Sequence, residues 1–217
     1  MSAGLQGRKV AMLATDGVEQ VELESPRKAL EEAGATVHLV SPKGGKIQGM
    51  KHMDKGDSIA VDVALSAANA GDYEGLVLPG GAVNPDTLRQ DAAAVKFVRD
   101  FFDMDKPVAA ICHAPWLLVE ADMVRGRTLT SWPSLRTDIR NAGGEWVDRA
   151  VVQDDKLVTS RKPEDLPQFN AKVVGMFTQA AAQRSVDRNS EMSFPASDPP
   201  PGPVSIGNLE RDGEARA

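Results

Sequence analysis

Short apolar runs alternate along the chain with longer stretches in which apolar residues recur every three or four positions. The short runs are typical of strands that are buried on both faces, and the longer stretches indicate amphipathic helices. The predicted strands span residues 9–15, 35–41, 58–63, 74–79, 107–111, 127–131 and 156–160. The predicted helices span residues 86–102, 116–122, 134–142 and 164–183, with a further helix between the first two strands.

The helix between the first two strands ends at Gly34, a residue type that commonly follows a helix C-terminus. Pro26 interrupts this helix, so either the helix kinks there or Ser25 caps a new segment with Pro26 at its first position, and we favour the second. Residues 42–57 are rich in Gly and Lys and predict a surface loop or hairpin.

Strands and helices therefore alternate, and parallel neighbours need such crossover connections. The pattern predicts an α/β fold, a three-layer sandwich of a mostly parallel sheet with helices on both faces. The folded domain is expected over residues 1–184. Residues 185–217 are rich in proline and charge and predict a separate C-terminal extension, which we expect to pack either along a groove or on a partner subunit.

Composition narrows the classes of function. The 217 residues are 41% hydrophobic and 26% charged, which is ordinary for one globular domain. A net charge of -6 and an aromatic content of 5% are not typical of a protein that binds nucleic acid. The sequence shows neither a signal-peptide pattern nor an apolar run long enough for a membrane span, so we expect a cytoplasmic protein.

The chain has one cysteine, Cys112, and His113 follows it directly. A buried strand leads into the thiol and a predicted helix leaves it, so the thiol is expected on a strand-to-helix turn. Free N–H groups at a helix N-terminus favour a thiolate, which predicts a lowered pKa for Cys112. A lone cysteine is often a small buried hydrophobe, but the adjoining histidine and the turn favour a nucleophile.

Partners for such a nucleophile can be named from the sequence. Gly81 and His113 could supply backbone N–H donors for an oxyanion, although a Gly pair is more often a plain turn. Glu19 lies in an acidic stretch after the first strand and could reach the same sheet edge as Cys112. If it touches the sulfur, repulsion would keep it protonated, although acids there also suit a helix N-terminus. Asp86 could orient the His113 ring or simply cap a helix.

Absent features exclude other chemistries. No histidine follows His113 in the sequence, so we do not expect the Cys-His-acid triad of a glutamine amidotransferase. Papain-like and caspase-like signatures around the cysteine are also missing. His38 lies in an apolar strand and His52 in a Lys-rich loop, so neither a metal site nor a cofactor is expected.

Several motifs occur together in a familiar order. They are residues 16–22 (DGVEQVE), 78–81 (LPGG), 84–86 (NPD), 110–115 (AICHAP), 129–131 (LTS), 141–143 (NAG), 145–147 (EWV) and 158–161 (VTSR). Taken together they resemble the PfpI branch of the DJ-1/PfpI superfamily, whose fold is that of the class I glutamine amidotransferases. The resemblance covers about residues 8 to 180.

The resemblance implies a flavodoxin-like sandwich with Cys112 as nucleophile on a strained turn. It also implies that Glu19 hydrogen-bonds to the sulfur and that Gly81 and His113 form the oxyanion hole. It further implies a homodimer or higher homo-oligomer, in which Asp86 of a neighbouring subunit completes the Cys-His pair.

The resulting hypothesis is a stress-response cysteine hydrolase that attacks the electrophilic carbonyl of a small dicarbonyl or glyoxal adduct, as a glyoxalase or deglycase does. One alternative is an ATP-independent intracellular cysteine peptidase. An alternative of another class is a redox-sensing or chaperone-like stress protein that uses oxidation of Cys112.

Overall fold

The computed structural model describes residues 4–193 of the protein. The strands are β1 (Lys9–Leu13), β2 (Val18–Glu19), β3 (Thr36–Ser41), β4 (Lys46–Lys51), β5 (Asp54–Ala60), β6 (Val63–Ala64), β7 (Gly75–Leu78), β8 (Val108–Ile111), β9 (Thr128–Leu129), β10 (Glu145–Trp146), β11 (Val151–Asp154) and β12 (Leu157–Ser160). The helices are α1 (Gln20–Glu32), α2 (Val83–Leu88), α3 (Ala92–Asp103), α4 (Pro115–Glu120), α5 (Arg136–Asn141) and α6 (Leu166–Ser193).

A seven-stranded sheet forms the middle layer, with strand order β11-β12-β8-β7-β1-β3-β6. Its neighbouring strands are parallel except for the β11–β12 pair, which is antiparallel at one edge. The predicted mostly parallel α/β sandwich is therefore confirmed.

The core lies on both faces of this sheet because successive side chains of a strand point to opposite sides. In β1, Ala11 and Leu13 belong to one apolar cluster and Val10 and Met12 to the other. The first cluster contains buried residues of α3, α4 and α5, and the second contains those of α1 and α6. Burial on both faces explains why the strands read as unbroken apolar runs.

Two of the predicted helices differ from the structure. The helix predicted over 86–102 is divided into α2 and α3, because the Asp91 side chain accepts hydrogen bonds from the N–H groups of Ala93 and Ala94 and caps a new helix. The favoured interpretation of Pro26 was wrong. Helix α1 continues through this buried proline, and the Ser25 hydroxyl accepts a hydrogen bond from Asn170 of α6.

The outer strands also differ in detail. Strands β4 and β5 form the predicted hairpin, which extends to Ala60. The strand predicted over 58–63 is therefore divided between the end of β5 and the short β6. The strand predicted at 127–131 is reduced to β9, which pairs with β10 outside the main sheet. Strand β11 was not predicted.

Helix α6 extends ten residues beyond its predicted end. Near the boundary predicted at residue 184, Arg184 donates to the carboxylate and carbonyl of Glu74, which also accepts from Arg8. The start of the predicted extension is therefore helical up to Ser193. Residues 194–217, which hold the proline-rich run, lie outside the described residues, and their packing on a partner stays a prediction.

Within residues 4–193, we find no helix that combines the length and apolar character needed to cross a membrane.

A close contact between β7 and α6 provides a test of the packing. A Cβ atom added at Gly75 would lie 2.7 Å from the ring of Phe177, which is fully buried. We expect Gly75→Ala to lower the free energy of unfolding by about 1–3 kcal/mol, measured by urea denaturation. The matched control is Gly175→Ala in α6, where a Cβ meets no atom within 4 Å. It should raise the stability by about 0.5–1 kcal/mol. Equal stability of the two variants would contradict this account.

Candidate active site

Most of the predicted site residues lie together where neighbouring strands of the main sheet end. Cys112 follows β8 and the Gly80-Gly81 pair follows β7, with β1 as the next strand in the sheet. The carboxyl ends of adjacent parallel strands form one crevice. A cavity of about 360 Å³ lies at this edge. It is lined by Glu19, Glu22, His52, Met53, Gly81, Ala82, Cys112, His113, Trp132, Lys162, Pro163 and Glu164.

Cys112 occupies the predicted turn between β8 and α4 in a left-handed conformation, with φ of 62°. A residue other than glycine held there costs roughly 1–3 kcal/mol, which the surroundings must offset. The backbone N–H of Cys112 donates to the Ser160 carbonyl over 3.1 Å, and its carbonyl accepts from Trp132 over 2.8 Å. These bonds hold the turn so that the thiol, which is 6% exposed, faces the cavity.

Two backbone N–H groups are directed at the sulfur, those of Gly81 and His113. Gly81 has φ of 83°, and a Cβ atom there would lie 2.4 Å from the carbonyl oxygen of Gly17. Only glycine therefore fits this position. The two residues expected to form an oxyanion hole are brought together beside Cys112.

Asn84 holds the glycine turn in place and was not recognised as a site residue from the sequence. It is completely buried, and its side-chain amide donates to the carbonyls of Pro79 and Gly80 over 2.9 and 3.1 Å. Its carbonyl oxygen accepts from the N–H of Thr15 over 2.7 Å. Asn84 thus ties the loop after β7 to the loop after β1. A polar residue so close to a Gly pair was the signal available in the sequence.

The acid beside the sulfur is Glu22 and not Glu19. The Glu22 side chain is fully buried, its carboxyl group interacts with the Cys112 thiol, and its Oε2 accepts from the N–H of Gly80 over 3.0 Å. Glu19 lines the cavity, but its Oε2 accepts from the N–H of His52 over 3.0 Å. The contact expected between Glu19 and the sulfur is therefore wrong.

Local structure explains why Glu22, and not Glu19, lies beside the sulfur. Glu19 ends β2, which pairs with β4 and directs the residue towards the β4–β5 hairpin. Helix α1 starts at the next residue, so Glu22 lies in its first turn and points inward. Both acids were visible in the motif at 16–22, but the short strand before the helix was not predicted.

Burial sets the protonation of the thiol and its acid. Burial raises the pKa of Glu22 to about 8, and the nearby charge of Glu19 acts in the same direction. Burial also raises the pKa of the Cys112 thiol, as does the Glu22 carboxylate, while the Gly81 and His113 N–H groups oppose the rise. The lowered thiol pKa expected from the helix N-terminus is wrong because burial outweighs the N–H groups. At neutral pH Glu22 is protonated and can donate to the sulfur.

His113 lies beside the thiol, with Nδ1 3.2 Å from Sγ of Cys112. The rings of Trp116 and Trp132 lie 5.2 and 5.6 Å from its ring centroid. Burial lowers the pKa of His113, which favours the neutral imidazole. Asp86 is exposed in the first turn of α2 and does not line the cavity. Its expected contact with a neighbouring subunit stays a prediction.

The described part of the chain holds no group of three or more His, Cys, Asp or Glu side chains placed to bind a metal ion.

Comparisons with known proteins find a matching family model and several similar relatives. The model of the DJ-1/PfpI family matches residues 8–176. The chain is 43% identical over 169 residues to "Protein/nucleic acid deglycase 2" of Escherichia coli, covering 77% of this chain and 96% of the relative. It is 40% identical over 169 residues to "Putative cysteine protease YraA" of Bacillus subtilis, covering 78% and 98%. It is 39% identical over 171 residues to "General stress protein 18" of the same organism, covering 78% and 98%.

The Glu22 carboxyl predicts how thiol reactivity depends on pH. The Glu22 carboxylate opposes ionisation of the Cys112 thiol, so alkylation of Cys112 in the wild type should accelerate only at high pH. Glu22→Gln removes this charge and its effect on the thiol pKa, so the acceleration should move to lower pH. Iodoacetamide kinetics from pH 5 to 10 measure both profiles. The control is Glu32→Gln at the exposed end of α1, and a Glu22→Gln profile that coincides with it would contradict the assignment.

The same carboxyl makes stability depend on pH. The folded pKa of Glu22 lies above its ordinary value of 4.5, so between about pH 4.5 and 8 the folded state binds more protons than the unfolded state. This contribution to stability is present at low pH and is lost as the pH rises. Between pH 5 and pH 8, Glu22→Gln should therefore lose less stability than the wild type, by on the order of 3 kcal/mol. Urea denaturation at both pH values gives the difference, and parallel losses would argue against a buried, protonated Glu22.

Proposed function

The chain belongs to the DJ-1/PfpI family, and on that premise we propose that it is a stress-response cysteine hydrolase of the glyoxalase or deglycase type. The observation that carries this proposal is a buried carboxyl group, Glu22, placed against a nucleophilic sulfur on a strained turn. Its substrates would be small dicarbonyls and the adducts that they form with amines or thiols.

The reaction begins with the sulfur. As the Glu22 carboxylate takes the thiol proton, the Cys112 sulfur forms a bond to the aldehyde carbon of a 2-oxoaldehyde, and the electron pair of the C=O bond moves to oxygen. The N–H groups of Gly81 and His113 stabilise the negative charge on that oxygen. Glu22 then returns this proton to the oxygen, which gives a hemithioacetal and restores the carboxylate. In an amine adduct, the sulfur displaces the amine from the carbinol carbon, the amine takes up a proton, and the same hemithioacetal results.

Glu22 would move the next protons. As a carboxylate it removes the hydrogen from the former aldehyde carbon, and as an acid it returns a proton to the neighbouring carbon. One carbon is oxidised and its neighbour reduced, so no external oxidant is needed. The product is a thioester of a 2-hydroxy acid, and water hydrolyses it to release the acid and restore the thiol. A carboxyl group with a pKa of about 8 suits both proton transfers near neutral pH.

A cysteine peptidase is the second candidate, favoured by the 3.2 Å separation between Sγ and the His113 ring and by the name of one relative. Cleavage of a stable amide requires protonation of the leaving nitrogen, usually by an oriented imidazolium. Burial favours the neutral form of His113, and no hydrogen bond within residues 4–193 joins its ring to a carboxylate. Addition of the thiol to an electrophilic carbonyl does not require an oriented imidazolium, so such carbonyls are the favoured substrates.

A redox sensor is less well supported than an enzyme. Oxidation proceeds through the thiolate and requires access of the oxidant. Here burial raises the pKa of Cys112 and leaves the residue 6% exposed. Both features slow oxidation by reagents in solution.

Assembly would complete the site. DJ-1/PfpI proteins commonly form homo-oligomers, and Asp86 lies on the exposed surface of α2, where a second copy can approach it. We therefore include a homo-oligomer, with Asp86 acting on His113 across the subunit boundary, in the proposal.

Turnover by the purified full-length chain tests the proposed reaction. Methylglyoxal should be converted to lactate, and Cys112→Ala should lower the rate at least about 1000-fold because no other thiol exists in the chain. The Glu32→Gln variant serves as the matched control. A casein-type peptide is assayed in parallel. Cleavage of the peptide alone, abolished by Cys112→Ala, would favour the peptidase. No Cys112-dependent turnover of either substrate would overturn both enzyme proposals.

A further inference from the structure

Two residues at the turn of the β4–β5 hairpin, His52 and Met53, form part of the cavity wall, and we call them the hairpin tip. His52 has φ of 58°, a left-handed conformation that residues with a side chain seldom adopt. Met53 is 92% exposed although it borders the cavity. The tip is therefore a strained and weakly packed part of the cavity mouth. A contact from outside the tip is needed to fix its position.

Glu19 provides the contact that holds the tip. Its Oε2 accepts a hydrogen bond from the backbone N–H of His52 over 3.0 Å. On the other side, the N–H of Glu19 lies 3.4 Å from the carbonyl oxygen of Gly80. One residue thus joins the hairpin tip to the glycine turn that faces the nucleophile. Since β2 pairs with β4, the Glu19 backbone is itself held in register with the hairpin.

The body of the hairpin is held by other contacts. The Gln20 side chain accepts from the N–H of Asp57 over 2.8 Å and donates to its carboxylate over 2.6 Å. Gln48 donates from its side chain to the Gly56 carbonyl over 2.8 Å. Loss of the Glu19 side chain would therefore release the tip without releasing the hairpin.

We infer that Glu19 is a positioning residue that sets the width of the cavity mouth, through its hydrogen bond to the His52 N–H. The held tip keeps Met53 at the rim, and Trp132 lines the same cavity from a separate loop. Such a mouth admits an electrophile carried on a slender, unbranched group and excludes one carried on a bulky group. The inference deepens the proposed function and rests on it for the identity of the substrate, but the width of the mouth can be measured without turnover.

The single cysteine of the chain makes this measurement direct. N-methylmaleimide and a fluorescein-linked maleimide share one reacting group and differ in bulk. The same thiol adds to the double bond of both reagents, so the ratio of their rate constants cancels any change in its protonation. We expect the wild type to react faster with the small reagent and Glu19→Ala to lower this ratio about 10-fold. Glu19→Gln keeps an oxygen that can accept from His52 and should stay within about 2-fold of the wild type.

Met53→Ala provides an independent variant, because truncation of so exposed a side chain leaves the core intact. It should also lower the ratio by widening the rim. Circular dichroism checks that Glu19→Ala folds, and if it does not, Met53→Ala decides. An unchanged ratio in a folded Glu19→Ala, or an equal fall in Glu19→Gln, would overturn the inference. Lack of turnover of every carbonyl substrate would overturn the proposed function and leave the maleimide result standing.

Discussion

The burial of one carboxyl group against one thiol is the constraint around which this molecule is arranged. Removing Glu22 and Cys112 from water disfavours the charged form of each, and two negative charges at such short range would repel. The pair therefore holds its protons more tightly than either group would in water. The directed N–H groups of Gly81 and His113 compensate in part, and they do so at the position where negative charge must form during reaction.

The fold supplies what this pair requires. Three neighbouring strand ends bring separate loops within hydrogen-bonding distance, and Asn84 fixes two of them to each other. Gly80 leaves no space for a side chain, since a Cβ atom would lie 2.4 Å from Glu22 Oε2 and 2.6 Å from the Cβ of Cys112. The close approach of acid and thiol thus depends on the absence of one methyl group.

The strands and the turn at Cys112 could be predicted because each depends on a local pattern, an apolar run followed by a helix start. The sheet edge shared by Cys112 and Gly81 followed from the parallel topology. The choice between Glu19 and Glu22 could not be made in this way. It depends on the two-residue strand β2, which tertiary pairing with β4 stabilises and which no local pattern indicates. The lowered pKa predicted for the Cys112 thiol is wrong for a related reason, because burial is a property of the folded chain and outweighs the local helix terminus. The division between α2 and α3 had a local signal, the capping residue Asp91, which the apolar spacing concealed.

Helix α6 runs from the cavity to the opposite edge of the sheet. It begins just after Lys162, Pro163 and Glu164, which line the cavity, and it contacts Glu74 near the opposite edge of the sheet. Its 28 residues correspond to a length of about 42 Å at 1.5 Å per residue. The last residue of α6 therefore lies about 40 Å along the helix axis from the first turn, which adjoins the cavity. A fluorophore attached at the exposed Val186, next to the Arg184–Glu74 contact, would therefore lie at the edge of the sheet remote from the cavity.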